Sequence, residues 1–397
     1  MTQAIRQTAF RDYWPSLNGS LADFDLRLMG VFLGLLALGL VMVGSASMSV
    51  AERAFHEPLH YFYRQAGAAS LGLVGAYLAM RLPLVLWQRF GLVFLLLAVA
   101  LLGLVLVPGL GKEVNGSVRW LKLGPISVQA SEPAKLCVII YLAAYLVRYA
   151  GQVRNTFIGL LKPVGVLTVI AVLLLAEPDF GATVVLVATM LGMLFLGGAS
   201  MTRFSLWVLL AVGALAGLAV LEPYRLKRVM SFLDPWADPL KEGYQLTHAL
   251  IAFGRGEWLG VGLGGSIEKL FYLPEAHTDF IFAVLAEELG LLGCVAVIAL
   301  FGYVVWRALE IGGRATRAGN LFGAYLAYGL GLLLGLQAFI NMGVNMGVLP
   351  TKGLTLPLIS YGSNSLIMSL VACGLLLRVE YETRLGGAER EEATEDA

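Results

Sequence analysis

Ten apolar stretches of roughly membrane-spanning length recur along this chain, at residues 28–47, 65–80, 90–108, 130–147, 163–176, 181–198, 205–221, 281–308, 321–348 and 363–377. About 20 apolar residues in a helix match the hydrocarbon thickness of a bilayer. With 58% hydrophobic and only 14% charged residues, the chain reads as an all-α polytopic membrane protein with ten transmembrane helices. Residues 1–27 form a polar N-terminal tail, 28–380 the membrane domain and 381–397 a charged C-terminal tail. Between spans seven and eight lies a long loop, 222–278, too long for a simple connection. Its Trp236, Tyr244, Trp258, Phe271 and Tyr272 argue against disorder. Leu246, Ala249, Leu250 and Phe253 recur within it at helical spacing, which predicts an amphipathic helix.

A net charge of +1 offers no concentrated basic surface for nucleic acid. Cys137, Cys294 and Cys373 sit inside apolar segments and read as small buried residues rather than a metal or disulfide framework. A polar stretch of roughly 25 residues precedes the first apolar run, which is not the pattern of a cleavable signal peptide. On a ten-span count, Arg27, Arg81, Arg148, Arg203, Arg314 and Arg384 all fall on one side. Basic residues concentrate on the cytoplasmic side, so both termini are expected there, and the 222–278 loop is expected outside.

That orientation places Glu275, His277 and Asp279 where the outer loop re-enters the membrane. Asp279 reads in two ways. As a helix N-terminal residue it would stabilise the dipole by up to about 1 kcal/mol; partly desolvated, it would be a general base of raised pKa. His277 is either a competing base or a polar tip at the interface, and Glu275 either orients the loop or contacts a polar ligand. Deeper acids, Glu287 and Glu288, are functional candidates or helix-to-helix ion-pair partners. Cations available to them are Arg119, Lys135, Arg225, Arg228 and Lys352. Lys352 lies in a segment broken by prolines and glycines, 345–362, which is tolerated at membrane depth where it lines a cavity or is buried in protein. An outward cavity with acids and bases would suit a ligand carrying phosphate and sugar. Glu177-Pro178-Asp179 reads as a hairpin turn with Asp179 capping the next helix, and as a secondary candidate for the same cavity. The glycines of 260–265 read as flexible loop backbone, since no βαβ unit surrounds them.

Several long motifs resemble one family. Pro274-Glu-Ala-His-Thr-Asp-Phe-Ile-Phe282, Glu287-Glu-Leu-Gly290 and the run from Leu349 to Gly362 are similar to the SEDS family (shape, elongation, division and sporulation). So are Arg119-Trp120, Ser131-Glu132-Pro-Ala-Lys135 and Glu177-Pro-Asp-Phe-Gly181. Lys269-Leu-Phe-Tyr-Leu-Pro-Glu-Ala-His277 and Pro350-Thr-Lys-Gly-Leu-Thr355 resemble its division branch more than its elongation branch. Ala286 and Ser363-Asn364-Ser365 depart from the usual pattern without touching the acids. The resemblance implies a peptidoglycan glycosyltransferase of the bacterial cytoplasmic (inner) membrane at the division septum. Its substrate would be lipid II, a disaccharide-pentapeptide on undecaprenyl pyrophosphate. Asp279 matches the essential carboxylate, with Glu275, His277, Lys352, Arg119, Lys135, Arg228 and Ser360 as substrate-binding candidates. Implied partners are a class B penicillin-binding protein (an FtsI-type transpeptidase) and the FtsQ, FtsB and FtsL division proteins. No residue is assigned as a metal ligand, although a divalent cation (Mg2+ or Mn2+) could assist the pyrophosphate leaving group. The competing readings are a lipid II flippase, an elongation-type polymerase and a scaffold for septal partners. A flippase needs polar groups through the full membrane depth, so a base at the outer boundary favours the enzyme.

Overall fold

The computed structural model describes residues 23–114, 117–124, 126–221, 227, 230–241, 243–350 and 353–395. It opens with α1 (Leu26–Phe55), α2 (His60–Arg81), α3 (Leu84–Arg89) and α4 (Gly91–Val105). Strands β1 (Gly111–Val114), β2 (Ser117–Leu123) and β3 (Ile126–Gln129) precede α5 (Ser131–Asn155), α6 (Phe157–Ala176), α7 (Phe180–Leu196) and α8 (Met201–Leu221). After α9 (Tyr244–Gly256) come α10 (Ile281–Arg317), α11 (Leu321–Asn345) and α12 (Ser363–Glu395). A helix coincides with each apolar stretch expected from the sequence. Among the described residues, seven helices are long and apolar enough to cross a membrane by length and composition, and α4 and α7 are shorter apolar helices. The fold is helical and polytopic.

Local chemistry sets the helix ends. Asp25 accepts from the backbone N–H of Arg27 and Leu28, and Asp179 accepts from Ala182 at 3.1 Å, the capping role its sequence position predicts. Asn320 caps α11 through Gly323. Small residues let α2 and α12 approach closely: a Cβ on Gly72 would lie 2.6 Å from Leu370, and one on Gly374 2.4 Å from the Ala76 carbonyl oxygen.

One end of the bundle is tied by charge. Arg307 of α10 pairs with Asp25 at the start of α1 at 2.6 Å and with Glu310 at 2.6 Å, while Arg384 pairs with Glu380 of α12 at 2.8 Å. Arg307 also lies 3.9 Å from Glu380. The start of α1 and the far part of α12 therefore share one end.

Three features depart from the sequence expectations. The stretch 109–128, a connection between the third and fourth apolar stretches with no element expected in it, carries a three-stranded antiparallel sheet in the order β1-β2-β3. Alternating side chains in Ser117–Leu123 and the Asn115-Gly116 link are the hairpin signals that explain it. Second, α10 is broken at Gly290, whose φ is 67°. Residues 257–262 run into that break. Val261 and Gly262 donate to the carbonyls of Glu287 and Glu288, and Leu291 and Leu292 donate to Glu257 and Trp258. Backbone groups freed by the kink are thus satisfied by protein, the condition for broken backbone at depth. Third, the glycines of 260–265 are not merely slack. Gly260 has φ 78°, and a Cβ there would lie 2.1 Å from the Glu288 carbonyl oxygen. The α9 helix confirms the periodicity read between 246 and 253: Leu246, Ala249 and Ala252 are buried, and Phe253 packs on Phe282 with ring centroids 5.7 Å apart.

Candidate active site

Asp279 lies just before α10, the helix that carries Glu287. α10 begins at Ile281 and Phe280 is its N-cap, with no side-chain cap of its own. The Asp279 carboxylate is half-buried, and its backbone carbonyl accepts hydrogen bonds from Asn341 Nδ2 and Asn345 Nδ2, each at 2.9 Å. Gly353 faces it, since a Cβ built there would sit 2.9 Å from Asp279 Oδ2. Any side chain at 353 would crowd the carboxylate.

The segment after Gly353 is stitched to both flanks of Asp279. Asn341 donates to the Leu354 carbonyl, Gln337 to the Thr355 carbonyl at 3.1 Å, and Gln65 to the Ser360 carbonyl at 2.9 Å. Ser360 Oγ donates to the Thr278 carbonyl at 2.7 Å and accepts from the Leu356 N–H, and the Tyr361 N–H donates to the His277 carbonyl at 2.9 Å. Ser360 therefore fixes the backbone beside Asp279. Lys352 and Arg228 lie outside the described residues.

His277 is nine-tenths buried. Its ring packs on Tyr61 and Tyr361, centroids 4.8 and 5.5 Å away, and Nδ1 has no hydrogen-bond partner. Burial pushes its pKa below the ordinary histidine range, against the opposing pull of Glu275. A base weakened this way is a poorer rival to Asp279. Glu275 is exposed, with φ 57°, and accepts from Thr278 Oγ1 at 2.7 Å. Its carbonyl accepts from the N–H groups of Thr278 and Phe280, so it shapes the turn that delivers Asp279.

Lys135 is buried on α5, where its Nζ donates to Glu132 and to Gln337 Oε1, both at 2.9 Å. Gln337 lies one helical turn from Asn341, which reaches Asp279. Lys135 thus joins the same polar ladder at a deeper level. Beside Glu132, Lys135 and Gln337 is a void of about 10 Å³. A cavity of about 240 Å³ lies at the α10 break among Phe253, Ala286, Leu291 and Cys294. None of the predicted site residues lines it.

Arg119 of β2 donates to the carbonyls of Glu177 and Pro178 at 3.2 and 2.7 Å, clamping the sheet onto the α6–α7 turn. That turn adjoins the site, because a Cβ on Gly181 would sit 2.9 Å from Leu354. Glu177 is fully buried, and neither carboxylate oxygen has a hydrogen-bond partner. Burial first, and the neighbouring Asp179 second, push its pKa up to about 8, with Arg119 opposing.

The deeper acids pair with cations that the sequence did not nominate. Glu287 accepts from Arg255 at 2.7 Å, from Ser266 Oγ and from the Ile267 and Glu268 N–H groups. Glu288 pairs with Lys269 at 2.6 Å and accepts from Ser45 Oγ at 2.7 Å. Both acids are fully buried. They anchor the 255–269 strap through Arg255 and Lys269, while Lys135 pairs with Glu132 and Arg119 with the α6–α7 turn; Arg225, like Arg228 and Lys352, lies outside the described residues. Sequence reasoning also missed Gln337, Asn341 and Asn345. Their signal was present, as three amides at i, i+4 and i+8 inside an apolar helix. Among the described residues, no group of three or more His, Cys, Asp or Glu side chains could hold a metal ion.

Residues 26–385 match the model of a family described as cell cycle protein, which covers FtsW, RodA and SpoVE. The chain is 61% identical over 369 residues to a probable peptidoglycan glycosyltransferase FtsW of Nitrosococcus halophilus, covering 93% of this chain and 95% of that one. The corresponding protein of Alkalilimnicola ehrlichii is 57% identical over 374 residues, covering 94% and 93%. Among solved structures, a chain from a peptidoglycan synthase complex that coordinates polymerization and crosslinking superposes with a TM-score of 0.75 at 33% identity, covering 92% of this chain and 99% of that one. The rod shape determining protein RodA of Thermus thermophilus superposes with a TM-score of 0.67 at 28% identity, covering 90% and 96%. This chain belongs to the FtsW, RodA and SpoVE family of cell cycle proteins, the SEDS family that its motifs resemble.

Proposed function

We propose that this chain is a peptidoglycan glycosyltransferase that polymerises lipid II into β-1,4 glycan strands, with Asp279 as the general base. The observation that carries this reading is the half-buried Asp279 carboxylate, on a backbone pinned by α11 and facing a glycine that leaves it room. Names of relatives at 57–61% identity, all probable peptidoglycan glycosyltransferases FtsW, support the activity and the division branch.

The chemistry follows from one base. Asp279 takes the proton of the acceptor sugar's 4-hydroxyl as that oxygen attacks the anomeric carbon of the donor. The bond from that carbon to the pyrophosphate oxygen breaks, and its electron pair leaves with the lipid pyrophosphate. A single displacement converts the α-linked donor into a β-linked product, so no covalent enzyme intermediate is needed. Negative charge on the leaving group calls for cations, and Arg119, Lys135, Lys352 and Arg228 are the candidates. Lys135 would have to exchange its Glu132 and Gln337 partners to serve. A divalent cation, Mg2+ or Mn2+, would be held chiefly by the substrate's phosphate oxygens with one carboxylate, the usual arrangement for Mg2+. It would neutralise charge on the leaving group.

The protein resides in the bacterial inner membrane at the division septum, with ten crossings, both termini cytoplasmic and the 222–278 loop outside. The charge-tied end that joins Asp25, Arg307 and Glu380 supports termini on one side. Its working partners are a class B penicillin-binding protein of the FtsI type, a reading supported by the synthase-complex relative that couples polymerization to crosslinking, and the FtsQ, FtsB and FtsL proteins that the family resemblance implies. The test uses the full chain with its transpeptidase partner in vesicles containing labelled lipid II, with a transglycosylase inhibitor that spares this family. Glycan ladders on a gel support the polymerase. Label crossing the membrane with no ladder would replace it with a transporter.

A further inference from the structure

The stretch of α11 from Gln337 to Asn345 carries three amides on one face in an otherwise apolar helix, and an unpaired buried amide is costly. Each has partners on two other elements. Gln337 joins Lys135 on α5 to Thr355. Asn341 Nδ2 donates both to the Asp279 carbonyl and to the Leu354 carbonyl. Asn345 Nδ2 donates to the Asp279 carbonyl and to the Asn341 carbonyl, while its Oδ1 accepts from the Ala283 N–H at 3.1 Å. That last bond falls in the first turn of α10, where Phe280 supplies no side-chain cap and the Ala283 N–H is shared with the Phe280 carbonyl, also at 3.1 Å. All three amides are buried, none more than 3% exposed.

We propose that Asn341 and Asn345 are positioning residues for the glycosyl transfer, holding Asp279 at its working distance through the carbonyl they share. This rests on the reading of Asp279 as the base. Two donors from one rigid helix converge on one carbonyl, which fixes the peptide that carries the Asp279 side chain. The same helix holds Leu354 and Thr355, whose segment begins at Gly353, opposite the carboxylate. Base and facing wall are therefore referenced to one element, and relative drift between them requires breaking bonds to α11. Asn341 Oδ1 is buried with no hydrogen-bond partner, so this amide is held by its donors alone. Since both asparagines act on one acceptor, their effects on turnover are coupled.

The experiment measures lipid II polymerisation by the full chain with its transpeptidase partner. Turnover is expressed per molecule in the monodisperse fraction, for Asn341→Leu, Asn345→Leu, the double variant and Asp279→Asn. A misplacement near 1 Å lowers rate about a hundredfold. A partial one should lower kcat about tenfold in each single variant, with KM for lipid II within about twofold, and the double variant should lose less than the product of the singles. If the leucine variants do not fold, the smaller Asn341→Ala and Asn345→Ala, which also remove the amide donors, take their place with the same expectation. Wild-type kcat per folded molecule in the asparagine variants, beside an inactive Asp279→Asn, overturns the positioning role alone. A fully active Asp279→Asn instead overturns the base assignment. Independent, multiplicative losses with raised KM would make the amides substrate contacts and would also overturn the proposal.

Discussion

The Lys269–Glu288 pair offers a sharp test of how the 255–269 strap is held. Glu288 is fully buried and Lys269 nearly so, and Nζ lies 2.6 Å from Oε1. At that distance and an effective permittivity of 20, attraction is about 6 kcal/mol, while desolvating each ion costs several kcal/mol. The pair is thus near balance as a unit, and removal of one member is not. Lys269→Met leaves the Glu288 carboxylate with Ser45 Oγ as its remaining hydrogen-bond donor, at an expected cost of about 3–5 kcal/mol. Adding Glu288→Leu removes the orphaned charge, and most of that loss should return. The assay is equilibrium unfolding by SDS titration from mild-detergent micelles, run for the wild type, both single variants and the double. Coupling of at least about 2 kcal/mol in this cycle is expected. Additive losses would refute the view that this buried pair is a unit, and so would a Lys269→Met variant as stable as the wild type.

Glu177→Gln should change how stability depends on pH. The folded carboxyl titrates at about 8 against a free value of 4.5, so between these values the native state holds a proton that the unfolded chain lacks. Stability therefore falls with rising pH by up to about 1.4 kcal/mol per unit across that window, and the variant should lose this slope; equal slopes in SDS titrations at pH 5 and pH 8 would refute it. Gly260→Ala should destabilise by about 2 kcal/mol or more, because a Cβ there would meet the Glu288 carbonyl oxygen at 2.1 Å and φ is 78°; a wild-type unfolding midpoint would count against the close strap-to-kink packing. Gly353→Val should abolish polymerisation with little change in unfolding midpoint, since the new side chain would occupy the space against Asp279 Oδ2; unchanged glycan yield would show that this face is not where the acceptor approaches.

Much of the bundle was legible before any coordinates. Hydrophobic runs place helices because lipid leaves the backbone no other way to satisfy its hydrogen bonds, and Asp179 announces a cap by residue type and position. The α9 helix was legible from period alone. The sheet at 111–129 was hidden by its short strands, whose alternation is diluted by glycines and charges. The α10 break was hidden because Gly290 looks ordinary inside an apolar helix until residues 257–262 bond to the chain on either side of it across a long sequence separation. At the site, the acids at 275–279 stood out by charge in an apolar chain. What holds them did not. Asn341 and Asn345 are ordinary polar residues whose meaning lies in a carbonyl 62 and 66 residues distant, and Lys269 meets its partner Glu288 only after the intervening turn closes.

The central claim is tested most directly by single-turnover lipid II polymerisation with Asp279→Asn, a change that keeps the shape of the side chain and removes its basicity. The variant is purified with its transpeptidase partner and compared with wild type at equal lipid II occupancy. Loss of the base should lower the rate by about 10²–10⁴-fold, with lipid II binding and complex formation retained. Glycan strands made at the wild-type rate would contradict the account.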